Sequence, residues 1–514
     1  MISEKLTRTL LVGGALVSLA ACAVGPDYEK PAMTIPAAYK EQQGWKPSTP
    51  DDAVNRGAWW SIYKDPVLDG LEGRIDISNQ TLKASEAAYR QARAVVDAAR
   101  ASFFPAISGT GSADRTHSSS ASINSSSFGT TTGGSFGSST RNQFNASLGA
   151  SWEPDLWGRI RRTVEGDVAT AQASAAELAS ARLSAQATLA EDYFELRYQE
   201  QLKRLLDTTV TDFTRSLEIT QNQYNAGVAA KADVLSARTQ LLNAQTQEIN
   251  SGVLRAQLEH AIAVLVGEPP SDFSLPSGPL ATDVPVMPTD VPSTLLERRP
   301  DIATAERQMA AANAQIGVAI AGYFPDLTLS ASTGNSSSML GNLLSAPTSI
   351  WSLGANVTQS IFDAGARSAQ VEQARAAYDQ TVAQYRQTVL TGFQQVEDEL
   401  AALRILTEQS TVENEVVKTA QEAARLTLNQ YKAGTVPYSS VIAAQATALS
   451  TEQTALSVME SRLVASVTLI QALGGGWDSS KLPGVGQVED DISFLKIVPI
   501  STDHPTSSDG TAKP

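Results

Sequence analysis

The chain has 514 residues, with 54 acidic and 39 basic side chains and a net charge of −15. That balance excludes nucleic-acid binding, which needs basic patches to displace counterions. One cysteine (Cys22) and three scattered histidines (His117, His260, His504) exclude an intrachain disulfide and give no zinc or redox spacing.

Lys5 and Arg8 precede an apolar stretch from Leu10 to Ala21, too short to span a bilayer. The stretch ends in LAAC. Residues 1–21 therefore read as a lipoprotein signal peptide, and Cys22 as the residue whose thiol carries a diacylglyceryl lipid. The competing reading is an ordinary signal peptide that ends near a cysteine. The uniqueness and position of Cys22 favour the lipid. Ala23 stands where an aspartate would mark inner-membrane retention, so outer-membrane sorting stays open. Cleavage removes Glu4, Lys5 and Arg8, leaving a net charge of −16. Nowhere do 18 apolar residues run together. A membrane crossing must then use strands, and strands in lipid must close into a barrel.

A helix is expected before FFPAIS (Phe103 to Ser108), followed by a weak strand and a Ser/Thr/Gly-rich loop from Ser108 to Gln143. FNASLGASW (Phe144 to Trp152) alternates Phe144, Ala146, Leu148, Ala150 and Trp152 against small polar residues, as a strand with two unlike faces does. Good helix formers then dominate. No glycine occurs from Asp167 to Ala226, a run that would extend about 90 Å as one helix. QYNAG (Gln223 to Gly227) ends it. Leu235, Leu242, Ile249, Ala256 and Ala263 follow at seven-residue intervals, the period of a left-handed supercoil. A proline-rich segment, Glu268 to Pro300, follows.

The same order then repeats. YFPDLT (Tyr323 to Thr328) matches FFPAIS at an offset of 220. Asp326 to Ser332 and WSLGANVTQSI (Trp351 to Ile361) read as strands with one apolar face. Ala366 to Ala433 reads as a second long helix. QYKAG (Gln430 to Gly434) matches QYNAG at an offset of 207, and Ile442, Leu449, Leu456, Leu463 and Ile470 repeat the heptads at that offset. The halves are bounded as residues 22–265 and 301–474, joined by a linker at 266–300 and followed by a partly disordered tail at 475–514.

Strands of about ten residues, apolar outside and small-polar inside, are a membrane-barrel signature. Aromatics at their ends (Phe103, Phe104, Trp152, Trp157, Tyr323, Phe324, Trp351, Phe362) suit interfacial girdles. A soluble sandwich and a plain coiled coil are the competing readings. Four strands cannot close a barrel, so the barrel reading requires several chains to share one.

These residues resemble the outer membrane factors, the TolC-type exit ducts. Within them the chain is similar to the lipoprotein branch serving multidrug efflux pumps. CAVGPDY (Cys22 to Tyr28), AWWSIYKDPVLDGL (Ala58 to Leu71), ERRPDIATAE (Glu297 to Glu306), FFP and YFP, IFDAGAR (Ile361 to Arg367) and the two QY-AG turns carry the resemblance. It implies an α+β membrane protein with an internal two-fold repeat. Three chains would form a 12-stranded outer-membrane β-barrel, four strands each, continued by a long periplasmic α-helical barrel. It implies no catalysis and no cofactor beyond the covalent lipid on Cys22. It implies three partners: outer-membrane lipid, a periplasmic adaptor, and an inner-membrane pump of the resistance–nodulation–division type.

By the same resemblance, the tips of the helical hairpins meet the adaptor, through Gly227, Val228 and Ala229 in the first and Gly434, Thr435 and Val436 in the second. Tyr224 and Tyr431 are expected in the helix seam. Relatives use the second tyrosine in polar links that hold the closed state, which makes Tyr431 a candidate gate residue. Relatives also carry a leucine and an aspartate on the inner wall after the second tip, where this chain has Ser439 and Ala443. Asp233 is the nearest acid and the second candidate gate residue; its place at a helix start is favourable in itself. A protein-secretion duct and a non-conducting coiled-coil lipoprotein remain as alternatives. An enzyme would need a clustered nucleophile and base, which the chain lacks.

Overall fold

The computed structural model describes residues 23–33, 35–36, 38–41, 57–118, 139–285 and 297–488. The expected signal peptide, Cys22, the middle of the Ser/Thr/Gly run, part of the linker and the end of the tail lie outside them.

The elements are α1 (Pro66–Ser78), α2 (Gln80–Ala101), β1 (Ala106–Ser118), β2 (Ser139–Trp152), α3 (Arg159–Asn225), α4 (Lys231–Leu265), α5 (Pro300–Ala321), β3 (Asp326–Ser337), β4 (Ser349–Thr358), α6 (Ala366–Lys432), α7 (Tyr438–Ala472) and the short α8 (Val485–Val488). The 67 residues of α3 and of α6 each span about 100 Å. The Ser108–Gln143 run, expected as a loop, supplies most of β1 and the start of β2. Its serines and threonines alternate with glycine and alanine, and strand pairing satisfies their backbone.

The four strands form one antiparallel sheet in the order β1-β2-β3-β4. Rows such as Trp152–Leu329–Ala355 and Ala150–Ala331–Leu353 cross one face. The other face carries a polar ladder, with hydroxyl pairs Thr110–Ser147 and Ser332–Ser352, each 2.8 Å. β1 and β4 are edges with no partner strand among the described residues.

Beneath the sheet the helices form a layer. Toward the sheet, α3 packs between α2 and α5, and α5 packs on α6; toward the tips, α4 packs on α3, α3 on α7 and α7 on α6. The main core lies where these two arrangements meet. Tyr193, Phe194, Leu196, Tyr385, Leu400 and Leu463 are capped there by a belt of Trp59, Trp60, Leu68 and Ile75. The residues of the AWWSIYKDP motif explain themselves in this belt. Asp65 caps α1 by accepting from the Val67 and Leu68 amides, Pro66 fills the first helical position, and the Tyr193 hydroxyl donates to Asp65 at 2.6 Å. The linker docks on the same core through Phe273, Leu275 and Leu280.

The R-P-D motif ties the second half together. Pro300 starts α5, and Arg299 pairs with Asp301 at 2.7 Å. Arg299 also donates to Gln395 on α6 at 2.8 Å and to the Ala472 carbonyl of α7 at 3.0 Å.

Candidate functional site

Both QY-AG turns end a long helix in one hydrogen-bond pattern. The Gly227 amide donates to the Tyr224 carbonyl and the Val228 amide to the Gln223 carbonyl, both at 2.9 Å. The Gly434 amide donates to Tyr431 at 2.9 Å and the Thr435 amide to Gln430 at 3.0 Å. This is a Schellman cap, which needs a left-handed residue after the last helical turn. Gly227 and Gly434 supply it with φ of 76° and 75°. A Cβ at either position would touch nothing, so backbone conformation alone asks for glycine. Around these caps the tips are open: Val228 is 74% exposed.

The two tyrosines of the turns part company. Tyr431 is buried with Ala237, Tyr438 and Val441, its ring 5.1 Å from that of Tyr438. Tyr224 is 41% exposed, contrary to the expectation that it packs in the seam. Only the second hairpin places its tyrosine against the other hairpin. The Tyr431 hydroxyl is buried without a well-formed hydrogen bond. Burial pushes its pKa up, and pushes that of Tyr438 up to about 12. Asp233 accepts from the Ala230 amide at 3.3 Å, closing the first turn of α4. Ser439 and Ala443 are exposed on α7.

Part of the first heptad set also differs from expectation, while Ala263 and, on α7, Leu463 and Ile470 are buried as a seam requires. Within the first hairpin the buried seam is Ala237, Ala244, Ser251 and Leu258. The bulky stripe of Leu235, Leu242 and Ile249 points away, 54%, 50% and 76% exposed. The buried stripe of α4 is built mostly of small residues, and the leucines are left for another surface. α6 carries a matching exposed stripe, Ile405, Val412 and Leu426, with Thr419 completing the spacing. Leu426, Thr419 and Val412 lie 6, 13 and 20 residues above the foot of α6, and Leu235, Leu242 and Ile249 lie 4, 11 and 18 above the foot of α4.

A further feature was not foreseen. α3 carries Glu191 and Glu195, Glu191 near Glu399 of α6 and Glu195 near Glu460 of α7. The Thr468 hydroxyl donates to Glu191 at 3.3 Å. Burial, then Glu195 and Glu191, push Asp192 up to about 6. Burial also raises Glu191, Glu399 and Glu460. Four-residue spacing on α3 was the available signal, but the contributions from α6 and α7 meet only in three dimensions.

A two-faced sheet carried on paired 67-residue helices is the architecture of an outer-membrane channel protomer. The family description "Outer membrane efflux protein" matches residues 74–268 and 291–475; the chain belongs to that family. It is 31% identical over 462 residues to the antibiotic efflux pump outer membrane protein ArpC of Pseudomonas putida, covering 89% of this chain and 93% of the relative. It is 29% identical to the pyoverdine export outer membrane protein OpmQ of Pseudomonas aeruginosa, covering 92% and 98%. Among solved structures, the outer-membrane channel OprN is similar with a TM-score of 0.80 at 27% identity, covering 89% of this chain and all of that one. The open state of the Neisseria gonorrhoeae channel MtrE is similar with a TM-score of 0.75 at 26% identity, covering 89% and 99%.

Proposed function

We propose that three copies of this chain form the exit duct of a tripartite efflux system in the outer membrane. The duct passively conducts drugs or other small solutes delivered by an inner-membrane pump through a periplasmic adaptor. The observation that carries this reading is the open-edged protomer. Among the described residues β1 and β4 lack partner strands, hydrocarbon does not tolerate free strand edges, and head-to-tail repetition closes both edges into a ring. The exposed stripes of α4 and α6 support the same closure. Their levels run in parallel with a constant offset of two residues, about 3 Å, so α6 of one protomer can zip against α4 of the next. The polar ladder and the acidic cluster then line the lumen, and Cys22 anchors the mature chain by its lipid.

Leu242→Glu tests the seam. In a lone chain this is a surface change worth at most about 0.5 kcal/mol. In the ring it buries three unpaired charges, so native mass shifts from trimer toward monomer. An unchanged trimer rules out the seam.

The tips are read as the adaptor's docking surface, through Gly227, Val228 and Ala229 with Gly434, Thr435 and Val436. Exposed Val228, at the open turn between α3 and α4, supports it. Val228→Asp is expected to reduce drug resistance several-fold with the trimer intact. Full resistance would remove the first tip from the contact. Tyr431 and Asp233 are read as gate residues because they lie where the second hairpin meets the first; opening would separate Tyr431 from Ala237.

A further inference from the structure

We propose that the lipid-facing wall of the sheet holds an acyl chain of the lipid on Cys22, in a trough at the foot of β2, β3 and β4. The proposal rests on the reading of Cys22 as lipidated, and adds a binding site for that lipid.

The first observation is how firmly the chain after Cys22 is held. The Val24 amide donates to the Trp157 carbonyl at 3.1 Å. The buried Arg162 donates to the Val24 and Gly25 carbonyls, each at 3.3 Å, and to Asp27 at 2.7 Å. Asn313 donates to the Pro26 carbonyl at 3.0 Å, and the Tyr28 hydroxyl to Glu306 at 2.8 Å. Gly25 lies so close to Gly317 that a Cβ on it would be 2.5 Å from the Gly317 Cα. A slack tether needs none of this. The clamp sets Ala23 against Gly158, immediately before α3 and six residues after the end of β2. The lipid therefore starts at the foot of the sheet.

The second observation is the wall above that foot. A shallow, open trough of 480 Å³ lies there. Six residues of the apolar face line it, Ala150, Trp152, Leu329, Ala331, Leu353 and Ala355, with Ser330 and Gly354 between them. The pairing register sets these six residues in two adjacent rows across three strands. The Trp152 indole donates to the Phe103 carbonyl at 2.9 Å, which fixes that ring. An apolar wall facing lipid has no need for a hollow; a methylene chain fills one.

In a bilayer, the trough and the surrounding tails are equally apolar, so transfer alone drives nothing. Packing against fixed walls and the high local concentration set by the clamp decide the occupant. Packing serves any acyl chain alike; the clamp, which starts the Cys22 lipid beside the trough, favours the chain's own lipid over free phospholipid.

The test uses the full-length protein in its own outer membrane. Cells are fed a fatty acid carrying a diazirine, irradiated, and the acyl chain on Cys22 is mapped by mass spectrometry. Crosslinks are expected on the peptides holding Ala150, Ala331 and Leu353, and are expected to disappear in Ala331→Leu while Cys22 stays acylated. If that variant fails to assemble, the wild-type map decides. Crosslinks spread evenly over Ile107, Leu148 and Val357 would mean that the chain is dissolved in the bilayer, overturning the site. Labelling of the trough by an added diazirine phospholipid, and not by the Cys22 chain, would overturn the choice of occupant. A Cys22 without acyl mass would overturn the lipid reading and the site with it.

Discussion

Replacing Glu72 by methionine raises the stability of the protein, and the gain grows with pH. Glu72 lies on α1 in the stripe Leu68, Leu71, Glu72, Ile75 that faces the core. It is fully buried, and neither carboxylate oxygen has a hydrogen-bond partner. Burial, followed by repulsion from Asp76 and Asp69, pushes its pKa up to about 9 from 4.5. The fold thus keeps a proton that the unfolded chain releases. Between about pH 4.5 and pH 9 the unfolded state binds fewer protons, so stability falls as pH rises across that window. At pH 7 the cost is about 3 kcal/mol per chain. Methionine removes it at similar volume. Glu72→Gln separates the causes, because the amide never ionises but still lacks a partner. Both variants are expected to flatten the dependence of thermal midpoint on pH, with methionine giving the higher midpoint. A wild-type midpoint that does not fall between pH 5 and pH 9 contradicts the account.

Arg197→Met is expected to destabilise by roughly 3–5 kcal/mol per chain, the loss typical of breaking a buried ion pair. Arg197 and Glu200 are 3% and 5% exposed and meet at 2.7 Å. They also staple the linker to the first hairpin. Arg197 donates to the Pro276 carbonyl at 2.8 Å, and Glu200 accepts from the Gly278 amide at 2.9 Å. Arg255 extends the network to Glu200, Glu259 and the Leu275 carbonyl. Removing Arg197 strands a buried carboxylate whose remaining partners are the Gly278 amide, 2.9 Å, and the longer contact to the one cation Arg255, 3.3 Å. Replacing both Arg197 and Glu200 by methionine should recover much of the loss, since an apolar pair leaves no uncompensated charge. Denaturant midpoints of the three variants measure this. A double variant as unstable as Arg197→Met would show that linker docking, and not the stranded charge, dominates.

The long-range plan was legible because periodicity survives in sequence. Alanine-rich, proline-free runs announced α3 and α6, the first without glycine from Asp167 to Ala226 and the second broken only by Gly392, and alternation announced β2, β3 and β4. The QY-AG repeat announced the tips, whose glycines answer to backbone geometry. Phase was harder. Leu235, Leu242 and Ile249 share their period with the buried Ala237, Ala244 and Ser251. Period alone cannot say which stripe faces the partner helix and which faces another chain. Tyr224 and Tyr431 occupy matching positions of the two QY-AG motifs, and only packing between the hairpins buries one of them. Glu72 could have been suspected, since it interrupts an apolar stripe at helical spacing. The Arg197–Glu200–Arg255 network could not, because the linker backbone that completes it contributes carbonyls and amides, which leave no mark in composition.

The account turns on three protomers sharing one wall. The most direct measurement is the native mass of the mature protein taken from outer membranes in mild detergent. Three chains, each somewhat below the 54.3 kDa of the full sequence, together with bound lipid, are predicted, since four strands cannot close alone. A stable monomer, or release from membranes without detergent, would contradict the shared barrel and leave a lipoprotein that conducts nothing.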